Sequence, residues 1–243
     1  MKINIHAGHN PDGKIACGAV GLIKESTEAR KVKNEVIRLL RNEGYTVYDC
    51  TIDNGTSQND VLNKIVAKCN KREVDLDISI HFNSGRNDKK GDNVTGGTEV
   101  YIYSKDSKAK SAAEKICKAI AALGYRNRGV KTSTSLYVLK YTNAPSMLIE
   151  CCFVDDKDDV EIYNYKTMAE AIFQGITDKK PIKPYKVRIT SDTLNVRSGP
   201  GVKYEVVQTL EHNEIYTIVE RKNTWGKLKS GAGWISLTHT KKV

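Results

Sequence analysis

The sequence predicts an α/β domain with a mostly parallel sheet flanked by helices, followed by a small all-β barrel. Through residue 176, short apolar strands alternate with amphipathic helices, which is the pattern of repeated βα units. From residue 187 onward there is no helical period, and short strands are separated by turn residues. A stretch rich in Pro and Lys between them favours an extended linker. We therefore predict a first domain over 1–177, a linker over 178–186 and a second domain over 187–243.

The spacing of apolar residues predicts the elements of the first domain. In the first helix, Ala29, Val32, Val36 and Leu40 recur at helical spacing. Strands are predicted at residues 2–6, 45–50, 76–82, 98–104, 136–140 and 146–152. Helices are predicted at residues 25–43, 58–72, 107–123 and 158–176. Ligands of such sheets bind at the carboxyl ends of the strands, so the residues that follow each strand are the first candidates for a site.

Charge is unevenly distributed along the chain. The 243 residues carry a formal net charge of +10. Residues 1–178 contain 26 Lys and Arg against 24 Asp and Glu, whereas residues 179–243 contain 13 against 5, a net charge of +8. The excess of base suggests a polyanionic partner. A nucleic acid would fit this charge, but no recognition motif and no interleaving of aromatic with basic residues supports that class, so we expect no nucleic-acid partner.

Neither membrane insertion nor Sec export is expected. No apolar run approaches the roughly 20 residues that a membrane span needs. The N-terminal residues lack the apolar core of a signal peptide.

All six cysteines precede residue 153, and no two form a CxxC pair. We therefore expect reduced, buried thiols rather than a thiolate zinc site. Cys151 and Cys152 directly follow Glu150, and both are interpreted as packing residues. Strand alternation predicts Cys152 on the face of Glu150 and Cys151 on the opposite face.

Residues able to bind a metal stand on three predicted strands or just after them. The first strand is followed by His9, the third contains His81, and the last carries Glu150 within an apolar run. Glu25 adds a second carboxylate near the start of the first helix. Two imidazoles and one carboxylate make a zinc site with an open fourth position, and a second glutamate can transfer a proton during amide hydrolysis. Spacing alone leaves the roles of Glu25 and Glu150 open, and there is no HExxH motif.

Six sequence blocks then carry a family resemblance. They are INIHAGHN (3–10), GLIKES (21–26), LDISIHFN (76–83), GGTEVYIY (96–103), RNRGVK (126–131) and LYVLKYTNAPSMLIECCFVDD (136–156). With these blocks in this order, residues 1–176 resemble the zinc-dependent N-acetylmuramoyl-L-alanine amidases of bacterial and phage cell-wall lysis.

The resemblance implies a role for each candidate residue. His9, Glu25 and His81 match the family's ligands for one zinc ion per catalytic domain, and Glu150 matches its catalytic acid/base. The implied reaction is attack of zinc-activated water on the amide between N-acetylmuramic acid and the first L-Ala of the stem peptide.

Two positions in the first block depart from the family pattern, and the Arg that often follows the second strand is absent at Asp49-Cys50-Thr51. His6 stands where an acidic residue is common, and Asn10 stands where Gly is common. His6 could hydrogen-bond the neighbouring loop or contact the metal directly.

Three further residues are candidates for substrate binding, each with a plainer alternative. Asn83 could orient substrate or form a turn, and Glu99 could hydrogen-bond near the site or face solvent. Arg128 could contact a muropeptide carboxylate or lie on the surface.

The second domain resembles the bacterial Src-homology-type barrel through LNVRSGPG (194–201) and GWI (233–235). The resemblance implies cell-wall binding, and the positive charge suits wall carboxylates and teichoic phosphates. Arg197, Tyr204 and Trp225 are candidates for wall contacts, although Trp225 and Trp234 could instead form the barrel core.

Together the two resemblances imply a monomeric peptidoglycan hydrolase, with a phage endolysin of a Gram-positive host as the favoured identity. Such a protein is made in the cytoplasm and reaches the wall after the membrane is permeabilised. The alternatives are a mother-cell, spore-associated or autolytic amidase, and a non-catalytic wall-binding protein with a decayed zinc site. The intact His9, Glu25, His81 and Glu150 argue against the last of these.

Overall fold

The computed structural model describes residues 1–243. The chain forms two compact units, Met1–Lys180 and Pro181–Val243. No helix combines the length and the hydrophobicity that a membrane-spanning segment requires.

The first unit is built on a six-stranded sheet with the order β2-β1-β3-β6-β4-β5. Its strands are β1 (Lys2–Ala7), β2 (Thr46–Asp49), β3 (Leu76–Asn83), β4 (Thr98–Ile102), β5 (Asn127–Thr132) and β6 (Ser146–Phe153). Every neighbouring pair is parallel except β4 with β6, which is antiparallel. This arrangement confirms the predicted α/β class with a mostly parallel sheet.

Helices cover the two faces of the sheet unequally. They are α1 (Glu25–Asn42), α2 (Gln58–Cys69), α3 (Lys110–Ala121), α4 (Tyr137–Tyr141), α5 (Lys157–Glu161) and α6 (Tyr165–Thr177). Helices α1, α3 and α6 pack on one face, where Val32, Ile80 and Ile149 belong to the larger core. Only α2 and the short α4 pack on the other face, around Leu148. The thinner cover leaves the carboxyl ends of β1, β3 and β6 accessible on that side.

Two predicted elements of the first unit are wrong, and one strand was missed. The strand predicted over 136–140 is helix α4, because neighbouring Val138 and Leu139 are both buried against α2 and β6 rather than alternating between faces. Strand β5 was not predicted, because its sequence NRGVKT has few apolar residues and it pairs only with β4 at the sheet edge. The helix predicted over 158–176 is two helices, since the Asn164 side chain accepts the Lys166 and Thr167 amides and starts α6.

A β-bulge corrects the predicted facing of the paired cysteines. His81 pairs with Glu150, but the next pair is Asn83 with Phe153, so β6 has one extra residue. Strict alternation ends there, and Cys152 joins Cys151 in the core under α1, α3 and α6. The predicted placement of Cys152 on the face of Glu150 is therefore wrong. All six cysteines are free thiols.

The second unit is all β apart from one short 3-10 turn, Leu237–His239, as predicted. Its strands are β7 (Tyr185–Ile189), β8 (Thr193–Arg197), β9 (Val206–Glu211), β10 (Ile215–Lys222), β11 (Trp225–Leu228), β12 (Trp234–Ser236) and β13 (Thr240–Lys242). All pairings are antiparallel, in the order β13-β7-β10-β11-β12-β8-β9. Val196, Ile218 and Ile235 are among its fully buried core residues.

Candidate functional site

Three of the predicted site residues meet at the carboxyl ends of β1 and β3. His9 lies just after β1, Glu25 is the first residue of α1, and His81 lies near the end of β3. Glu25 Oε1 is 3.0 Å from His81 Nδ1 and 3.3 Å from His9 Nε2. One ligand atom from each of the three residues lies within 4.8 Å of the other two. The fold thus collects a His₂Glu set from segments that are far apart in the sequence.

Backbone amides fix the Glu25 carboxylate. Its Oε2 accepts the Ala19 amide at 2.8 Å, and its Oε1 accepts the Phe82 amide at 3.1 Å. Burial alone would raise the pKa of Glu25, but hydrogen bonds from His81 and His9 hold this pKa well below its ordinary value. Glu25 is therefore an oriented carboxylate, which is the form that binds a cation.

The loop that carries His9 is tied down by two side chains. Arg30 Nη2 donates to the His9 carbonyl at 2.7 Å and pairs with Asp53 at 2.6 Å. The fully buried Asn10 donates to the Gly55 carbonyl and accepts the Gly55 amide. Asn10 therefore links the two loops that follow β1 and β2. It does so at a position where Gly is common in the family that the sequence resembles.

The spacing among the ligand atoms fits zinc. A tetrahedral zinc ion has bonds of about 2.0–2.1 Å to His and carboxylate, which puts neighbouring ligand atoms about 3.3 Å apart. The separations of 3.0 and 3.3 Å around Glu25 Oε1 agree with that edge length. Imidazole and carboxylate are also ligands that zinc prefers.

Gly8 allows His81 to occupy this position, a requirement that the sequence analysis missed. A Cβ placed on Gly8 would lie 1.8–1.9 Å from the His81 Cε1 and Nε2 atoms. No side chain fits there unless the imidazole moves. A Gly directly before the candidate ligand His9 was the available signal.

We expect Gly8→Ala to weaken zinc binding by about 10-fold or more, because an alanine methyl displaces a ligand ring. Competition with a chromogenic chelator measures the affinity. Gly201→Ala is the matched control, since its Cβ would make only ordinary contacts at 3.5 Å. Unchanged affinity in Gly8→Ala would show that zinc binding does not depend on this position of the His81 ring.

Glu150 stands beside this group, opposite His81 in the register of β3 and β6. Its Oε2 is buried and has no hydrogen-bond partner. Burial, reinforced by the charges of Glu25 and Glu99, raises the pKa of Glu150 to about 8. A carboxyl in this setting can exchange a proton near neutral pH.

A cleft of about 220 Å³ adjoins these residues. His9, His81 and Glu150 line one side of it. The apolar part of the lining comes mainly from α2, α4 and β6, and consists of Ala16, Val61, Leu62, Leu136, Val138 and Leu148. The reactive side chains therefore border a largely apolar space.

His6 lies outside the triad. It is 1 % exposed, and its Nδ1 is 3.3 Å from Ser79 Oγ. Burial, and then the nearby His81, lower the pKa of His6 to about 3. His6 is thus a neutral, buried imidazole that hydrogen-bonds β3, in line with the non-metal alternative.

In the structure, Glu99 bonds the two other predicted substrate residues, Asn83 and Arg128. Glu99 Oε1 accepts Asn83 Nδ2 at 3.0 Å, and Glu99 Oε2 accepts Arg128 Nε at 2.6 Å. Lys131 also donates to Glu99 Oε2, and Tyr101 donates to Oε1 at 2.9 Å. Burial would raise the pKa of Glu99, but Lys131, Arg128 and Tyr101 hold it below its ordinary value.

Sequence reasoning missed Lys131 and Tyr101 in this cluster. Tyr101 follows Glu99 by two residues in a strand, so alternation could have placed them on one face. Lys131 could be found only from the register of β4 with β5, where it pairs with Tyr101.

In the second unit, the three predicted wall-contact residues have different surroundings. Arg197 Nη1 donates to the carbonyls of Val202 and Tyr204, so Arg197 holds the turn between β8 and β9. Tyr204 is 37 % exposed on that turn. Trp225 is half-buried and, with Arg197, lines a cleft of about 280 Å³. Trp234 is buried, at 8 % exposure.

Comparison with known proteins identifies two regions of the chain. A family model described as N-acetylmuramoyl-L-alanine amidase matches residues 3–179, and one described as bacterial SH3 domain matches residues 192–240. The catalytic domain of an endolysin targeting Clostridium difficile is similar in structure, with a TM-score of 0.66 and 25% identity over 74% of this chain and 98% of that one.

Two curated relatives give further context. An uncharacterized 38.4 kDa protein of Clostridium perfringens is 40% identical over 89% of this chain and 59% of its own length. The N-acetylmuramoyl-L-alanine amidase LytC of Bacillus subtilis is 30% identical over 72% of this chain and 34% of its own length. The chain thus spans about three fifths of the length of the C. perfringens relatives that it matches.

Proposed function

Because the chain belongs to the N-acetylmuramoyl-L-alanine amidase family and carries a bacterial SH3 domain, we propose that it hydrolyses peptidoglycan at the amide between N-acetylmuramic acid and L-Ala. The observation that carries this proposal is the His₂Glu group with Glu150 beside it on one cleft. A decayed, purely wall-binding protein would have no reason to keep the His₂Glu group together with Glu150 beside it.

In this proposal His9, Glu25 and His81 hold one zinc ion. When bound, zinc supplies Lewis acidity, which polarises a carbonyl and lowers the pKa of water. The chain's own contribution is to orient the ligands: the Ala19 and Phe82 amides fix Glu25, and the Arg30 guanidinium fixes the loop of His9.

Glu150 is the proposed acid/base. Its carboxylate accepts a proton from the attacking water and delivers it to the amine of the departing L-Ala. Burial raises the pKa of this carboxyl, so it can hold the proton between the two halves of that transfer. Apolar side chains such as Val61 and Leu136 form most of the remaining lining of the neighbouring cleft.

The second unit is the proposed wall-binding module. Residues 179–243 carry a net charge of +8, which favours association with wall carboxylates and teichoic phosphates. Likeness to an endolysin catalytic domain supports a phage endolysin role, in which the protein acts on the wall of a Gram-positive host after membrane permeabilisation. A mother-cell or autolytic amidase is the alternative use of the same chemistry.

Digestion of purified peptidoglycan tests the activity. We expect new L-Ala amino termini without new reducing ends, and we expect a chelator to stop their appearance because the triad then lacks its ion. Mass spectrometry of the soluble products identifies the bond. New reducing ends would indicate a glycosidase, and an unchanged wall would leave only binding.

Wall association is expected to weaken with salt. The Glu150→Gln variant binds without cutting, so pelleting it with walls at about 50 mM and about 500 mM salt measures attraction alone. Replacing exposed Lys241 and Lys242 by Gln should lower the salt needed for release, whereas the same change at exposed Lys105 and Lys108 should not. Pelleting that ignores salt would mean that uncharged contacts dominate.

A further inference from the structure

A positively charged cluster lies next to Glu150 in the strand order, toward the β5 edge of the sheet and away from the triad. Glu99 on β4 pairs with Glu150 on β6. Arg128 and Lys131, from β5, both donate to Glu99. We name Glu99, Arg128 and Lys131 the edge cluster; it holds two cations for one carboxylate.

Both cations are held in place and still have unused donors. Arg128 Nε bonds Glu99, its Nη1 reaches the Gly96 carbonyl at 3.4 Å, and the guanidinium lies 5.1 Å from the centre of the Phe153 ring. Nη2 makes no hydrogen bond within the protein. The Arg128 side chain is 29% exposed and that of Lys131 is 39% exposed, so an anion in solvent can reach them.

The distance from the proposed reaction fits a peptide substrate. Neighbouring strands lie about 4.8 Å apart, so Glu99 lies one strand spacing from Glu150. Arg128 and Lys131, which both bond Glu99, then lie roughly 8 Å from Glu150. Two extended residues span about 7 Å. A group on the second residue after the scissile amide can therefore reach Arg128 and Lys131.

The chemistry of the substrate indicates which of its groups would bind Arg128 and Lys131. The lactyl carboxyl of N-acetylmuramic acid is consumed in the scissile amide, so carboxylates remain only on the peptide side. Resting on the proposed amidase function, we propose that Arg128 and Lys131, oriented by Glu99, bind a free carboxylate on the second residue of the stem peptide. The enzyme then prefers acidic stem peptides to amidated ones.

Two uncross-linked peptidoglycans test this preference. They differ only at the second stem residue, which is glutamate with a free α-carboxylate in one and the α-carboxamide in the other. We expect kcat/KM to be about 10-fold or more higher for the carboxylate form, as a charge-assisted hydrogen bond would give. Added salt should reduce the ratio, since it screens partly exposed charges.

Variants separate substrate recognition from a purely structural role, in which Arg128 and Lys131 only hold β4 and β5 together. Arg128→Gln and Lys131→Gln should each lower the ratio, mainly through KM for the carboxylate form, and Arg128→Lys should retain part of it. The matched control is Arg126→Gln, which removes the same charge from an exposed side chain two residues away. If the role is purely structural, the Arg128 and Lys131 variants should change the melting temperature but not the ratio of kcat/KM for the two peptidoglycans.

The outcomes distinguish the two proposals. Equal kcat/KM for both peptidoglycans in the wild type would overturn the carboxylate site and leave the amidase proposal standing. An unchanged ratio in both Arg128→Gln and Lys131→Gln would likewise overturn it. Failure to cut either peptidoglycan would overturn the proposed function and this inference together.

Discussion

Glu150→Gln is expected to lower the rate of peptidoglycan hydrolysis by about 10³-fold while leaving zinc content unchanged. The glutamine side chain has the same shape but cannot take a proton from water or return one to the departing amine. The zinc ligands keep their own contacts, because neither Glu25 oxygen bonds Glu150.

The fold should tolerate this change. Glu150 Oε2 has no hydrogen-bond partner to lose, and the raised pKa shows that the ionised form is disfavoured by burial and by the Glu25 and Glu99 charges. We therefore expect an equal or slightly higher melting temperature for the metal-free variant. Exposed Glu114→Gln is the matched control and should retain full activity. Hydrolysis by Glu150→Gln at the wild-type rate would remove Glu150 from the proposed mechanism.

His9→Ala is expected to reduce zinc affinity by at least about 100-fold, more than the loss of an outer hydrogen bond costs, and to abolish hydrolysis with it. His9 is one of the three proposed protein ligands, and its Nε2 lies 3.3 Å from Glu25 Oε1. His81→Ala should have the same effect for the same reason. Elemental analysis after gel filtration measures the metal, and wall digestion measures the activity.

A control separates this effect from general disruption. His212→Ala removes an exposed imidazole from the second unit and should keep one zinc ion per chain. Circular dichroism of His9→Ala should match that of the chelated wild type, because the large core does not involve His9. Full zinc occupancy in both His9→Ala and His81→Ala would place the metal elsewhere.

Much of the site could be predicted because the ends of the strands can be located from the sequence pattern. His9, His81 and Glu150 each accompany an apolar strand, and parallel strands deliver their carboxyl ends to one edge. Glu25 was harder, since it depends on how the loop before α1 returns to β3. Spacing left Glu25 and Glu150 interchangeable; in the structure Glu25 contacts both imidazoles. Their separate roles stay predictions, and Glu150→Gln tests the role of Glu150.

What escaped prediction depends on register. The bulge that turns Cys152 into the core appears only when β3 and β6 are aligned. The contacts of Glu99 with Arg128 and Lys131 need β5, whose polar sequence does not look like a strand. Asn83, Glu99 and Arg128 could be chosen singly as polar residues near strand ends, but the contacts of Glu99 with the other two could not be predicted.

The position of Glu25 between the two imidazoles has a consequence for assembly. Its carboxylate holds His9 and His81 at separations close to those of a zinc tetrahedron. Metal uptake then requires little rearrangement, so folding need not wait for the ion, unlike in small zinc domains that are unfolded without it. On the zinc-binding proposal, we therefore expect metal loading to follow folding and to be reversible.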